Sequence, residues 1–167
     1  MANIAIYPDW FSRNGNTDLR TEITEVIINN NYTPTGLEIT WDASAELNGS
    51  VKAYLTNTTL ILVPTSTITA IPDLMFNKFM SLTKISGFNT IVSIGSYAFY
   101  STPCITEIDI DVTKLLTIGN DAFRLSSLED CLNLSLINSS CVIGDRATRT
   151  KRWSTALASV QNVSFPA

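Results

Sequence analysis

The chain has 167 residues, a formal net charge of −4 and only 16% charged residues, which leaves room for one domain with a sizeable core and gives no support to a nucleic-acid partner held by phosphate neutralisation. It contains no histidine, so Ser-His and Cys-His nucleophiles and the commonest metal ligand are excluded together. Asn, Ser and Thr supply 52 of the 167 residues, so the surface is built from neutral polar groups, as in many extracellular binding scaffolds.

Residues 2–11 alternate loosely around Ile4, Ile6, Trp10 and Phe11, with Pro8 as a break, and read as an extended arm. No basic segment followed by an apolar run is present there, so the arm does not read as a signal peptide. Trp10 and Phe11 are costly to leave in water, and packing on this chain and docking on a neighbouring subunit are both open. Across residues 17–28 the apolar positions Leu19, Ile23, Val26 and Ile27 follow the i, i+4, i+7, i+8 spacing of an amphipathic helix, while the β-branched content leaves a strand as the alternative. Residues 1–36 are therefore expected to form an arm and helix outside the rest of the fold, an assembly element resting on Trp10, Phe11, Leu19 and Ile23.

Thr33-Pro-Thr-Gly36 marks a turn, and three short strands follow at about residues 37–41, 50–55 and 60–63, with Asn48-Gly49 and Asn57 at the connections. Residues 37–67 read as a β module that caps what comes next.

From residue 68 the chain repeats itself. Ile91-Val-Ser-Ile-Gly-Ser-Tyr-Ala-Phe99 and Leu115-Leu-Thr-Ile-Gly-Asn-Asp-Ala-Phe123 lie 24 residues apart; a degenerate copy, Ile71-Pro72 with Met75-Phe76, precedes them by 23, and a partial copy, Ile143-Gly-Asp-Arg-Ala147, follows at 25. The second halves, Leu82-x-x-Ile85-x-x-Phe88, Ile105-x-x-Ile108-x-Ile110 and Leu128-x-x-Cys131-x-x-Leu134, carry strand-like apolar spacing. A period near 23 fits one short strand plus a turn or short helix, and such a unit buries its apolar face only by stacking on its neighbours. Leu82, Ile85, Ile94, Phe99, Ile105, Ile108, Ile118, Phe123 and Leu128 are the expected continuous core, and Trp153, Leu157 and Val160 are placed to close the C-terminal end.

Chemistry has little to stand on. Cys104, Cys131 and Cys141 are odd in number and lack C-x-x-C spacing, so zinc and dithiol chemistry have no support. Neither a G-x-G-x-x-G nor a G-x-x-x-x-G-K-[ST] loop is present. Asp109 and Asp111 alternate as acid/base or calcium carboxylates would, but such pairs are more often solvated positions. Arg146, Arg149, Lys151 and Arg152 form a basic cluster whose simplest reading is a solvated end. No cofactor is expected, and no apolar run approaches the length that spans a bilayer.

The run Trp41-Asp42-x-Ser44, Asn48-Gly49-Ser50-Val51-x-Ala53-Tyr54-Leu55 and Thr59-Leu60, followed by the Ile-Gly-x-x-Ala-Phe copies, resembles the BspA-like leucine-rich-repeat family over roughly residues 37–147. That family has short repeats found in bacterial surface proteins and in bacteriophage virion proteins, often with a Cys three residues after the Phe, where this chain has Phe79, Thr102 and Ser126. The resemblance implies an α+β leucine-rich-repeat solenoid of about four repeats over residues 68–167, with a β cap and an N-terminal arm. It also implies a non-enzymatic module with a protein or surface-glycan partner. A virion component, tail or capsid-associated and touching neighbouring virion subunits, and an extracellular adhesin on a bacterial cell surface are the two settings; a homo-oligomer fits either.

In a strand written Leu-x-x-Ile-x-Ile, the residues flanking the second apolar position face outward. Successive copies place Lys84, Glu107, Asp109 and Asp130 there, an acidic strip with a lysine at one end, stacked about 4.8 Å apart. These four are the expected binding face for a cationic or polar partner; the alternative is that they only keep an open sheet from pairing edge to edge.

Overall fold

The computed structural model describes residues 19–42, 51–128 and 131–147. Among the described residues the chain is strand and turn, with helix confined to short 3-10 segments such as Leu19–Thr21, Val112–Lys114 and Leu134–Leu136. The expected α component is absent there, which makes the architecture a mostly β repeat fold.

Over residues 19–28 the expected amphipathic helix gives way to the strand alternative, after a single 3-10 turn at Leu19–Thr21. Instead of a helix, Glu25–Ile28 form strand β1. The three strands expected next are β2 (Ile39–Asp42), β3 (Val51–Thr56) and β4 (Thr59–Pro64), an antiparallel meander. Later come β5 (Ala70–Ile71), β6 (Lys84–Ser86), β7 (Ser93–Ile94), β8 (Glu107–Ile108), β9 (Thr117–Ile118) and β10 (Val142–Ile143). They make a six-stranded sheet in the order β2-β3-β4-β1-β6-β8 and a four-stranded parallel sheet in the order β10-β9-β7-β5.

β1 lies between β4 and β6, parallel to both, with Val26 opposite Leu60 on one side and Ile85 on the other. A helix would have left the facing edges of those strands unpaired, and an extended β-branched segment satisfies both. Ile23 and Val26 are fully buried in the main core. Ile23 and β1 therefore belong to the core and the sheet and are not a separable assembly element, and in the six-stranded sheet β1 stands between the β2–β4 meander and the repeat strands β6 and β8. Trp10 and Phe11 lie outside the described residues, and Leu19 enters only through its backbone.

The expected core residues join one buried cluster, with Ile108 packed against it half-buried. Each full repeat gives one strand to each sheet until the copy beginning at Leu128. There a strand was expected through Cys131 and Leu134; the chain instead turns at Cys131 and forms the 3-10 segment Leu134–Leu136. The Ser127 hydroxyl and the Cys131 thiol both donate to Ile105 O (2.6 and 3.3 Å), side-chain bonds that take the place of a further strand.

The Ile-Gly steps have a steric cause. Ile71, Ile94, Ile118 and Ile143 are in register across the parallel sheet. A Cβ on Gly119 would run into Ser96 N and lie 2.7 Å from Gly95 C; one on Gly144 would lie 2.6 Å from Asn120 N; Gly95 has the same relation to Asp73 N. Glycine is required because the preceding turn passes through the space of a side chain. The first copy holds Pro72, on the edge strand's side of the sheet, where none of the described repeats precedes it.

Beyond the glycine, the turns bond to one another. Ser96 N donates to Asp73 Oδ1 (2.8 Å), Asn120 N to Ser96 Oγ (3.2 Å) and Asp145 N to Asn120 Oδ1 (2.7 Å). Leu74, Tyr97 and Asp121 N–H groups reach the carbonyls of Ser96, Asn120 and Asp145 in the next turn, and Phe76, Phe99 and Phe123 N–H those of Ala98, Ala122 and Ala147. Phe76, Phe99 and Phe123 stack at centroid separations of 5.3 and 5.8 Å. Three residues after Phe99, Thr102 is fully buried, donates to Phe99 O and shares a hydrogen bond with Ser126 Oγ, each at 2.8 Å.

Gly119→Ala must displace a neighbouring turn and is expected to cost roughly 1–3 kcal/mol, whereas Pro72→Ala, at the counterpart position with no turn before it, should cost about 1 kcal/mol or less. Urea unfolding measures both, and equal costs would refute the close-approach account.

Candidate functional site

The predicted sheet face is assembled in part. Lys84 and Glu107 are directly opposite on β6 and β8, and their charged groups meet at 3.8 Å with both side chains well exposed. Asp109 does something different. Its carboxylate accepts from Gly87 N (2.7 Å) and Phe88 N (2.9 Å), tying the loop after β6 to the residue after β8. Asp130 falls outside the described residues. Asp111 caps the 3-10 segment Val112–Lys114 by accepting from Thr113 N and Oγ1 (3.0 and 2.6 Å). The Thr113 hydroxyl, then its backbone N–H, hold the Asp111 carboxyl below its ordinary range. Among the described residues no group of three or more His, Cys, Asp or Glu side chains is placed to hold a metal ion, and no helix is long and apolar enough to cross a membrane.

The turns carry a second surface. The third residue after each ladder isoleucine, Leu74, Tyr97, Asp121 or Arg146, sits at a left-handed φ between 54° and 62°. This conformation is uncommon for a residue with a side chain, and here its N–H bonds the next turn wherever one follows. Asp121 is fully buried and accepts from Arg124 Nη1 (3.4 Å) and Arg146 Nη2 (2.9 Å), so a buried carboxylate is compensated by two guanidinium groups. The Asp121 charge raises the Arg146 pKa further. Arg124 also lies over the Tyr100 ring, 5.9 Å from its centroid, and Tyr100 meets Tyr97 at 5.6 Å. Leu125 beside them is 62% exposed.

Tyr97, Tyr100, Arg124 and Leu125 were not among the expected site residues. The signal was available in the copies, since Tyr100 and Arg124 each follow the Phe and so stand side by side once the turns stack. Of the basic cluster, Arg146 is engaged with Asp121 instead of being a purely solvated end; Arg149, Lys151 and Arg152 lie outside the described residues. Ile23 faces this chain's own core.

One more carboxylate fixes the crossing from β1 to β2. Glu38 accepts from the Tyr32 hydroxyl (2.6 Å) and from the N–H groups of Thr35, Gly36 and Leu37 (each 2.9 Å). The Tyr32 bond, then the Thr35 backbone, hold the Glu38 pKa at about 2, from an ordinary 4.5. Tyr32 is raised in return, mainly by the same bond. Burial pushes the Cys141 thiol up to about 11, whereas Cys104 is an exposed free thiol.

Asp109→Ala is expected to lower the melting temperature by more than Glu107→Ala, whose exposed ion pair is worth about 1 kcal/mol or less; thermal unfolding of the two variants decides between a structural and a purely superficial Asp109. Because Glu38 is depressed on folding, its contribution to stability is complete above pH 4.5 and is lost as pH falls toward 2. The amide resonances of Thr35, Gly36 and Leu37 should accordingly move with a midpoint near 2, and a midpoint near 4.5 would show that the cradle does not hold.

Among known families, the model described as "BspA type Leucine rich repeat region (6 copies)" matches residues 52–165, well over half of the chain. No curated protein and no solved structure matches the sequence. The match begins within β3, so β1, which joins the meander to the repeats, lies before it. The matched span takes in the Ile-Gly-x-x-Ala-Phe copies, their stacked turns and the whole four-stranded parallel sheet, and the chain belongs to the BspA-type leucine-rich-repeat family.

Proposed function

We propose that this chain is a non-enzymatic binding module, displayed on a surface, which recognises a protein partner through its turn face. The observation that carries the reading is the convergence of Tyr97, Tyr100, Arg124 and Arg146 from successive turns, with Leu125 exposed beside them. Tyr and Arg are the side chains that most often anchor protein interfaces. The Asp121 carboxylate holds both guanidinium groups in place, so little ordering remains to be done on binding. The family membership supports a protein-binding or surface role. The repeats are read as about four stacked units of a solenoid, with the β2–β4 meander toward its N-terminal end.

The finer setting is a bacteriophage virion, as a tail or capsid-associated protein that recognises a host surface or decorates the particle. A surface of neutral polar residues and the Trp10-Phe11 arm ahead of the sheet support it. A bacterial cell-surface adhesin that binds host or matrix proteins is the second reading, favoured by the repeat type itself. The Lys84–Glu107 sheet face is the rival recognition surface in either setting.

Mass spectrometry of purified particles from the producing host, set against surface labelling of its cells, separates the two settings. In a cell- or matrix-attachment assay, Tyr97→Ala with Tyr100→Ala should lower attachment about tenfold or more, with the circular-dichroism spectrum retained, while Lys84→Ala with Glu107→Ala leaves it unchanged. The reverse pattern would move recognition to the sheet face.

A further inference from the structure

Strands β4, β1 and β6 run side by side in one direction, and the chain leaves all three at neighbouring points, Pro64, Ile28 and Gly87. A cleft of about 390 Å³ opens where they end, a volume in the range of small-ligand sites. Four asparagines, Asn29, Asn30, Asn31 and Asn89, line it together with the apolar Ile28 and Ile68. Among the described residues no charged side chain lines it. We infer that this cleft is a binding site for a neutral saccharide.

The argument is chemical. Each asparagine amide carries donors and an acceptor on one short arm, which matches a sugar hydroxyl that donates and accepts at once. A carboxylate or phosphate would find no cation in the lining, and an ammonium group no anion. Two charged groups next to the lining serve the walls instead: Asp109 binds Gly87 N and Phe88 N, and Lys114 Nζ donates to Asn89 O at 3.0 Å. The walls are built. Asn29 Oδ1 accepts from Asn31 N (3.0 Å), and Thr90 Oγ1 donates to Ile68 O (2.7 Å). A Cβ on Gly87, at φ +85°, would lie 2.7 Å from Ile28 O, so only glycine lets the two strand ends stand this close. Asn30 and Asn89 are exposed, and no hydrogen bond is made by either side chain to the described residues. Half-buried Ile28 offers apolar surface for the C–H face of a sugar ring, with buried Ile68 behind it. An extended peptide fits less well, because strand addition needs a free sheet edge, and β4, β1 and β6 are each flanked on both sides.

The cleft shares no residue with the turn face, so this site and the protein-binding reading stand or fall separately. Amide chemical-shift mapping of the whole chain with maltotriose, cellotriose, chitotriose, lactose, 3′-sialyllactose and N-acetyl-trialanine amide tests it. At least one neutral saccharide should shift the amides of Asn29, Asn30, Asn31 and Asn89. Asn30→Ala with Asn89→Ala should weaken that binding about tenfold or more, as expected for about two lost hydrogen bonds, at an unchanged melting temperature, and Tyr97→Ala with Tyr100→Ala should leave it intact. The inference is overturned if no neutral saccharide moves those amides, if the double asparagine variant binds as before, if 3′-sialyllactose binds more tightly than lactose, or if the uncharged peptide is the compound that occupies the cleft.

Discussion

The close approach between an Ile-Gly step and the turn of the preceding repeat sets the spacing on which the stacked turns depend. With no Cβ at Gly95, Gly119 or Gly144, the residue after each glycine comes near enough for its N–H to reach the short polar side chain one repeat back. That bond holds the turns at the separation of neighbouring strands, about 4.8 Å. Only at that separation do the sheet ladder and the turn-to-turn bonds form together, and only then do Phe76, Phe99 and Phe123 stack on one another. A larger residue at the glycine would force one of the two hydrogen-bond systems to open.

This constraint is also why the repeats were legible in the sequence. A steric requirement repeated at each stacked turn leaves the same residue at each step, so Ile-Gly and Ala-Phe mark the turns, and the period gives the ladder register. Pro72 shows the converse: where none of the described turns precedes, the glycine is absent. The strands at β2, β3 and β4 were legible for a different reason, their short alternating runs bounded by turn residues. β1 was not. Ile23, Val26 and Ile27 satisfy helical spacing and extended geometry alike, and the choice was made by partners distant in the chain, Thr58 and Thr83, which bond to Thr24 across 34 and 59 residues. Local pattern carries no information about an open edge so far away. The strand expected through Cys131 failed for a related reason, since Ser127 and Cys131 satisfy Ile105 O by side-chain bonds that apolar spacing does not reveal.

The candidate site was legible only as adjacency. Register places Lys84 beside Glu107, and the structure does so too. What the register could not show is which charges are already engaged. Asp109 and Asp111 look alike in sequence, two acidic residues in alternation, yet both are bound to backbone N–H groups, one across repeats and one within its own turn. Tyr100 and Arg124 become neighbours only when the turns stack, and the left-handed residues that shape that surface are ordinary Leu, Tyr, Asp and Arg, with no glycine to announce them.

These assignments bear on what kind of surface the protein can offer. Lys84 pairs with Glu107, Lys114 with Asp111, and Arg124 and Arg146 with Asp121, while Glu38 and Asp109 hold backbone amides. Much of the described charge thus serves to fix turns and loops, and the exposed Lys84–Glu107 and Lys114–Asp111 pairs are weak and screened at physiological salt. The groups left facing outward in organised clusters are aromatic rings held by the buried Asp121 network on one face and asparagine amides at the strand ends on another. Both are made from side chains that take no part in the backbone ladders. A repeat that stabilises itself through backbone bonds, small polar side chains and a phenylalanine stack leaves side chains at other turn and loop positions open to other roles, and both proposed binding surfaces are made from such positions.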